Sequence, residues 1–170
     1  MRDHSFKNSI VYINQHNADG AVGFIFNKPL DESISANLRK SMEIDKHVPV
    51  YYGGPVDLNS AGVIHTNEIV TPYSIKLNKE LYISRDKKFI DIINSDMCPE
   101  YFKIVVGYSG WGPGQLESEI LGSRTNGLSG WAITDYNNHL FWDDEYDTVW
   151  NTGMQMAAEK LTSNILGEFQ

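Results

Sequence analysis

Residues 103–120 read KIVVGYSGWGPGQLESEI, and the reading of this stretch decides the fold. Ile104, Val105 and Val106 form an apolar run that reads as a strand entering a core. Four glycines, a proline and a tryptophan follow within the eight residues 107–114, which predicts a tight turn. Gln115 then opens a helix, with Glu117 and Glu119 close to the end where unpaired backbone N–H groups favour negative charge. Leu116 and Ile120 lie four apart and share its buried side. A strand, a glycine turn and a helix start form a binding corner without naming a ligand.

Working outward, an apolar run over 8–14 and another over Val22 to Phe26 flank Ala18-Asp19-Gly20, which predicts a hairpin. Pro29 ends the second strand and leaves Asn27 and Lys28 at its tip. Asp31 is expected to cap a helix through Leu38, with a surface tail over 39–46. Val48 to Tyr52 reads as a strand, Gly53-Gly54-Pro55 as a tight turn, and Ala61 to His65 and Lys76 to Ser84 as further strands separated by a loop. Ser84 is placed to cap a helix over 85–94 that buries Phe89, Ile90 and Ile93. Beyond the central stretch, 122–130 reads as a connection and 131–134 as a short strand. A helix over 145–162 carries Val149, Trp150, Gly153, Ala157 and Leu161 at spacings of three and four. This mixture of hairpins, crossovers and few helices predicts an α+β or α/β domain around a mixed sheet.

The 170 residues suffice for one domain with a sizeable core, and 41% of them are apolar. No apolar run is long enough to span a bilayer, and Asp3, His4 and Lys7 interrupt any signal-like start, so no membrane role is expected. The lone Cys98 excludes an internal disulfide and fits the cytoplasm. Of the net charge of −8, residues 1–85 contribute nothing, with nine basic and nine acidic side chains, whereas 86–170 carry five and thirteen. That field opposes phosphate backbones, no run of Lys and Arg offsets it, and direct nucleic-acid binding is disfavoured.

Candidate chemistry is sparse. His4, His16, His47, His65 and His139 show no metal-ligand spacing, so neither a metal nor a cofactor is expected. Cys98 lies beside Asp96, which disfavours a thiolate. Ser109 lacks the first glycine of a nucleophile elbow, and the glycine string has neither a Walker lysine nor a dinucleotide fingerprint. Backbone N–H groups near Gln115 could still hold an anion or a carbonyl, with Trp111 as a lid. For each feature the plain structural alternative is packing: a buried indole at Trp111, a capped strand end at Asn27, a required backbone shape at Gly53 and Gly54.

The strings GFIFNKPL (23–30), YYGGPV (51–56), LYISRD (81–86) and GYSGWGPGQLESEI (107–120) resemble the YqgE/AlgH family, also called DUF179 and UPF0301, a bacterial group of uncharacterised function. Order and spacing agree over nearly the whole chain. The resemblance implies a single domain over 1–170, with a strongly curved mixed sheet and peripheral helices. It implies that His65, Phe141 and the terminal helix bearing Trp150 occupy family positions. Members carry a further strand ahead of the segment matching residues 2–6, so the chain is expected to lack the family's first strand.

Two classes of function follow. The first is a non-enzymatic binding or regulatory protein that meets an unknown ligand or protein partner on a surface drawn from Asn27, Lys28, Gly53, Gly54, His65, Tyr108, Ser109, Trp111 and Gln115. The alternative is a hydrolase or transferase using His65 with Ser109 or a carboxylate, or a transcriptional regulator. Oligomeric state is not readable from the sequence.

Overall fold

The computed structural model describes residues 6–126 and 130–167; His4 and the rest of the starting segment, and the middle of the connection expected over 122–130, lie outside them. Twelve elements follow in order: β1 (Val11–Asn17), β2 (Gly20–Ile25), α1 (Glu32–Ser41), β3 (Val50–Tyr52), β4 (Val56–Thr66), β5 (Ile75–Lys76), β6 (Leu81–Ser84), α2 (Lys87–Asn94), β7 (Phe102–Trp111), α3 (Gln115–Asn126), α4 (Asn138–Trp142) and α5 (Tyr146–Gly167). The strands form one curved sheet in the order β1-β2-β7-β4-β6-β5, with β3 added alongside β7. Every strand pair is antiparallel except β3 with β7, so the α+β fold rests on a mixed half-barrel.

Alternation of side chains divides the core between the two faces of this sheet. On one face Tyr51, Ile64 and Val105 pack with Phe26, Phe141 and Val149 beneath α4 and α5. On the other, their strand neighbours Val50, Val63, Ile104 and Val106 pack with Phe89 and Ile93 of α2. A smaller third cluster joins Ala21, Trp111 and Leu116, with Ile120 against it, which places α3 as its periodicity predicted.

Several local expectations change. β7 does not turn at Gly107; it continues to Trp111, because a glycine with φ of 70° lets the strand bulge and resume. The cap of α2 is Asp86, whose carboxylate accepts from the Phe89 N–H at 3.0 Å, and Ser84 is left at the end of β6. Asp31 stands at the N-cap of α1 but makes no side-chain cap bond. Arg39, expected at the surface, is buried because its guanidinium donates to Val48 O at 2.7 Å and pairs with Glu32. Residues 76–84 split into two strands, since Asn78 Oδ1 accepts from the N–H groups of Glu80 and Leu81 and turns the chain. Residues 122–126 continue α3, 131–134 form no strand, and α5 runs on to Gly167.

Candidate functional site

β3 lies on one edge of β7 and β4 on the other, so residues 53–55 must pass across β7 to connect them. They do so at Gly107. A Cβ on Gly53 would stand 2.4 Å from Gly107 O, one on Gly54 2.3 Å from the Tyr108 carbonyl carbon, and one on Gly107 2.4 Å from Gly54 O. Backbone therefore rests on backbone, and no larger residue fits. The Gly53 N–H donates to Val106 O at 2.8 Å, while Gly53 O accepts from Ile25 N–H at 2.9 Å and from the Ser109 hydroxyl at 3.1 Å. Gly53, Gly54 and Ser109, three of the nine candidate residues, thus meet in one buried knot with no room for a ligand.

The others scatter around it. Asn27 is buried and fastens the strand start, its Oδ1 accepting from Ile10 N–H at 2.7 Å and its Nδ2 donating to Asn8 O at 3.0 Å. Trp111 is buried against Phe6 and Trp131, and its indole N–H donates to Glu119 at 3.2 Å. Gln115 is exposed and uses its Oε1 to accept from Gly112 N–H at 3.0 Å, closing the turn before α3. Lys28 and Tyr108 are half-buried.

His65 sits far along β4, opposite Phe102, and is fully enclosed. Its ring stacks on Phe89 with centroids 4.0 Å apart. Nδ1 donates to Thr66 O at 2.8 Å, which leaves Nε2 to accept from the Ser84 hydroxyl at 2.8 Å. Ser84 continues to Ser74 at 2.6 Å, and Thr71 links Ser74 to the Asp86 carboxylate. Burial holds the imidazole pKa below its ordinary value, against smaller opposing contributions from Thr66, Glu68 and Asp86. His65 therefore meets Ser84 and not Ser109, and both members of that pair are sealed from solvent.

Sequence reasoning missed Lys103. This residue lies in the middle of the sheet at 4% exposure, where its ammonium donates to the carbonyls of Phe26 at 3.3 Å and Asp143 at 3.1 Å. It stands 4.4 Å from the Tyr51 ring centroid and 3.6 Å from the Asp144 carboxylate, which also accepts from the Tyr51 hydroxyl at 2.6 Å. Burial pulls the Lys103 pKa down to about 8, partly offset by Asp144, and raises that of Tyr51. The arrangement clasps the α4–α5 junction to the sheet. No local pattern could have revealed it, because its acceptors are 40 and 77 residues away.

Two open grooves mark the described surface. One, of about 330 Å³, is lined by Tyr101, Asn138, His139, Trp142 and Asp143. The other, of about 490 Å³, lies between α1, α2 and β4, with Ala61, Val106 and Ile90 in its floor and Arg85 and Leu58 at its sides. None of the nine candidate residues lines either groove. Among the described residues no cluster of His, Cys, Asp and Glu could hold a metal, and no helix is long and apolar enough to cross a membrane.

A curved α+β half-barrel closed by a glycine crossing is thus the class of protein that the geometry defines. The DUF179 description, AlgH-like, matches residues 1–162, and the chain belongs to this family. It is 32% identical over 165 residues to a UPF0301 protein of Pseudoalteromonas translucida, covering 93% of this chain and 85% of that one. A UPF0301 protein of Pectobacterium carotovorum is 35% identical over 174 residues, covering 97% and 88%. The solution structure of the AlgH protein from Pseudomonas aeruginosa superposes with a TM-score of 0.73 at 24% identity, covering 92% and 82%, a likeness of fold.

Proposed function

We propose that the chain is a non-enzymatic binding protein of the cytoplasm that exerts a regulatory effect through a ligand or protein partner. The observation that carries this reading is the fate of the reactive side chains. His65 has both ring nitrogens engaged and no exposure, and Ser109 spends its hydroxyl on Gly53 O. A catalytic base must come within direct or one-water reach of a substrate proton, which an enclosed ring does not. Of the nine candidate residues, Lys28, Tyr108 and Gln115 supply recognition at the surface, and the remaining six serve as its scaffold. The net charge of −8 supports regulation through a partner in preference to direct contact with duplex DNA. A panel of chromogenic acyl, phosphoryl and glycosyl esters tests the reading. The expected result is release at the buffer rate; release that His65→Gln abolishes, in a variant shown to be folded by circular dichroism, would overturn it.

A further inference from the structure

The larger groove owes its shape to an irregularity in β4. Pairing with β7 jumps from Val56↔Tyr108 to Ala61↔Val106, so residues 57–60 bow away from the ladder opposite Gly107. Asp57 adopts φ of 52°, uncommon for a residue with a side chain, and Leu58 is held 54% exposed at the rim. Bulges of this kind recur beside functional sites because they re-aim side chains. Here the bulge raises Leu58 and Asn59 into the same groove as Leu38 of α1 and Met42 at its C-cap.

Charge is supplied by Arg85. Its Nε lies 3.1 Å from the place a Cβ on Gly62 would occupy, so the missing side chain leaves the guanidinium resting on the sheet. Among the described residues no hydrogen bond or ion pair engages it. Lys87, the other lining cation, is held by two carboxylates, Glu43 and Asp91, and is not available to a ligand. A cation without a carboxylate partner, set beside Leu38, Met42 and Leu58 in a groove of about 490 Å³ with a mixed polar and apolar lining, is complementary to an anion with an apolar body. It attracts that anion locally against the field of a chain of net charge −8.

We infer that this groove binds a small amphipathic carboxylate, with its aliphatic chain along Leu38, Met42, Leu58 and Ile90 and its carboxylate on Arg85. The inference adds a second binding surface, apart from Lys28, Tyr108 and Gln115, and rests on the reading above only in taking the chain for a ligand-binding protein. Guanidinium and carboxylate match as two parallel N–H···O bonds, and the groove has no aromatic ring in its lining on which a nucleobase could stack.

Decanoate below its micelle concentration is the probe, titrated into isotopically labelled protein and followed by amide chemical shifts. Decanamide carries the same chain without the charge, and acetate the charge without the chain. Decanoate is expected to give saturable shifts at Ala61, Arg85, Ile90 and Val106, with affinity at least about tenfold above decanamide, and acetate none. Arg85→Gln should lose about that factor for decanoate and leave decanamide unchanged. Leu58→Glu, which places a carboxylate at the mouth, should lose decanoate as well. Equal affinity for decanoate and decanamide, an unaffected Arg85→Gln variant, or the absence of shifts at the groove would overturn the inference. Saturable shifts confined to another surface would also overturn it while leaving the binding reading intact, since that reading fails by turnover in the ester assay.

Discussion

The glycine crossing and the groove are made by the same two strands, a few residues apart, yet one is closed and the other open. At the crossing, β4 enters the ladder at Val56 and every polar atom of Gly53 is used; beyond it, residues 57–60 leave the ladder and enclose solvent. The difference teaches that glycine marks where backbone must meet backbone, whereas room for a ligand arises where a strand departs from its partner.

The sharpest way to break this comparison is Gly54→Ala. The new Cβ would stand 2.3 Å from the Tyr108 carbonyl carbon at a residue with φ of 148°, and neither backbone can yield without uncoupling β3 from β7. Destabilisation beyond about 4 kcal/mol is expected in chemical denaturation, or no soluble protein at all. Trp111→Ala, at the end of the same strand, should cost about 3 to 4 kcal/mol by leaving a cavity beside Phe6 and Trp131.

The Lys103 clasp gives a third effect, smaller and dependent on pH. Its folded pKa of about 8 lies below the ordinary lysine value, so between these two pH values the unfolded chain binds the extra proton and stability rises with pH. From pH 8 to 9.5 the gain should approach about 1 to 2 kcal/mol and vanish in Lys103→Met. Above pH 10 the raised pKa values of Tyr51 and Tyr136 act in the opposite sense, so the window closes there. Least of all, Leu58→Ser on the open side should change stability by no more than about 0.5 kcal/mol, because that side chain is already half in water.

These effects also separate what was legible in the sequence from what was not. Phe89, Ile90 and Ile93 announced the buried side of α2, and Leu116 with Ile120 that of α3, because helical spacing is a local property. Gly107 misled: the same residue type makes turns and in-strand bulges, and only the partner backbone of Gly54 selects the second. Ser84 has the local pattern of a cap, but its actual partner His65 lies 19 residues away, beyond the reach of any local signal. The groove was invisible because a bulge in β4 and a missing Cβ at Gly62 leave no periodic trace, and Arg85 reads as one more surface cation.

Amide hydrogen exchange tests the central claim, that Gly53-Gly54 and Gly107 build a structural crossing and not a recognition loop. The account predicts that the N–H groups of Gly53 and Ile25, bonded to Val106 O and Gly53 O, exchange only through global unfolding, with protection equal to that of the β7 amides. Exchange of these two amides through local opening, several kcal/mol below the β7 core on the order typical of mobile loops, would contradict it.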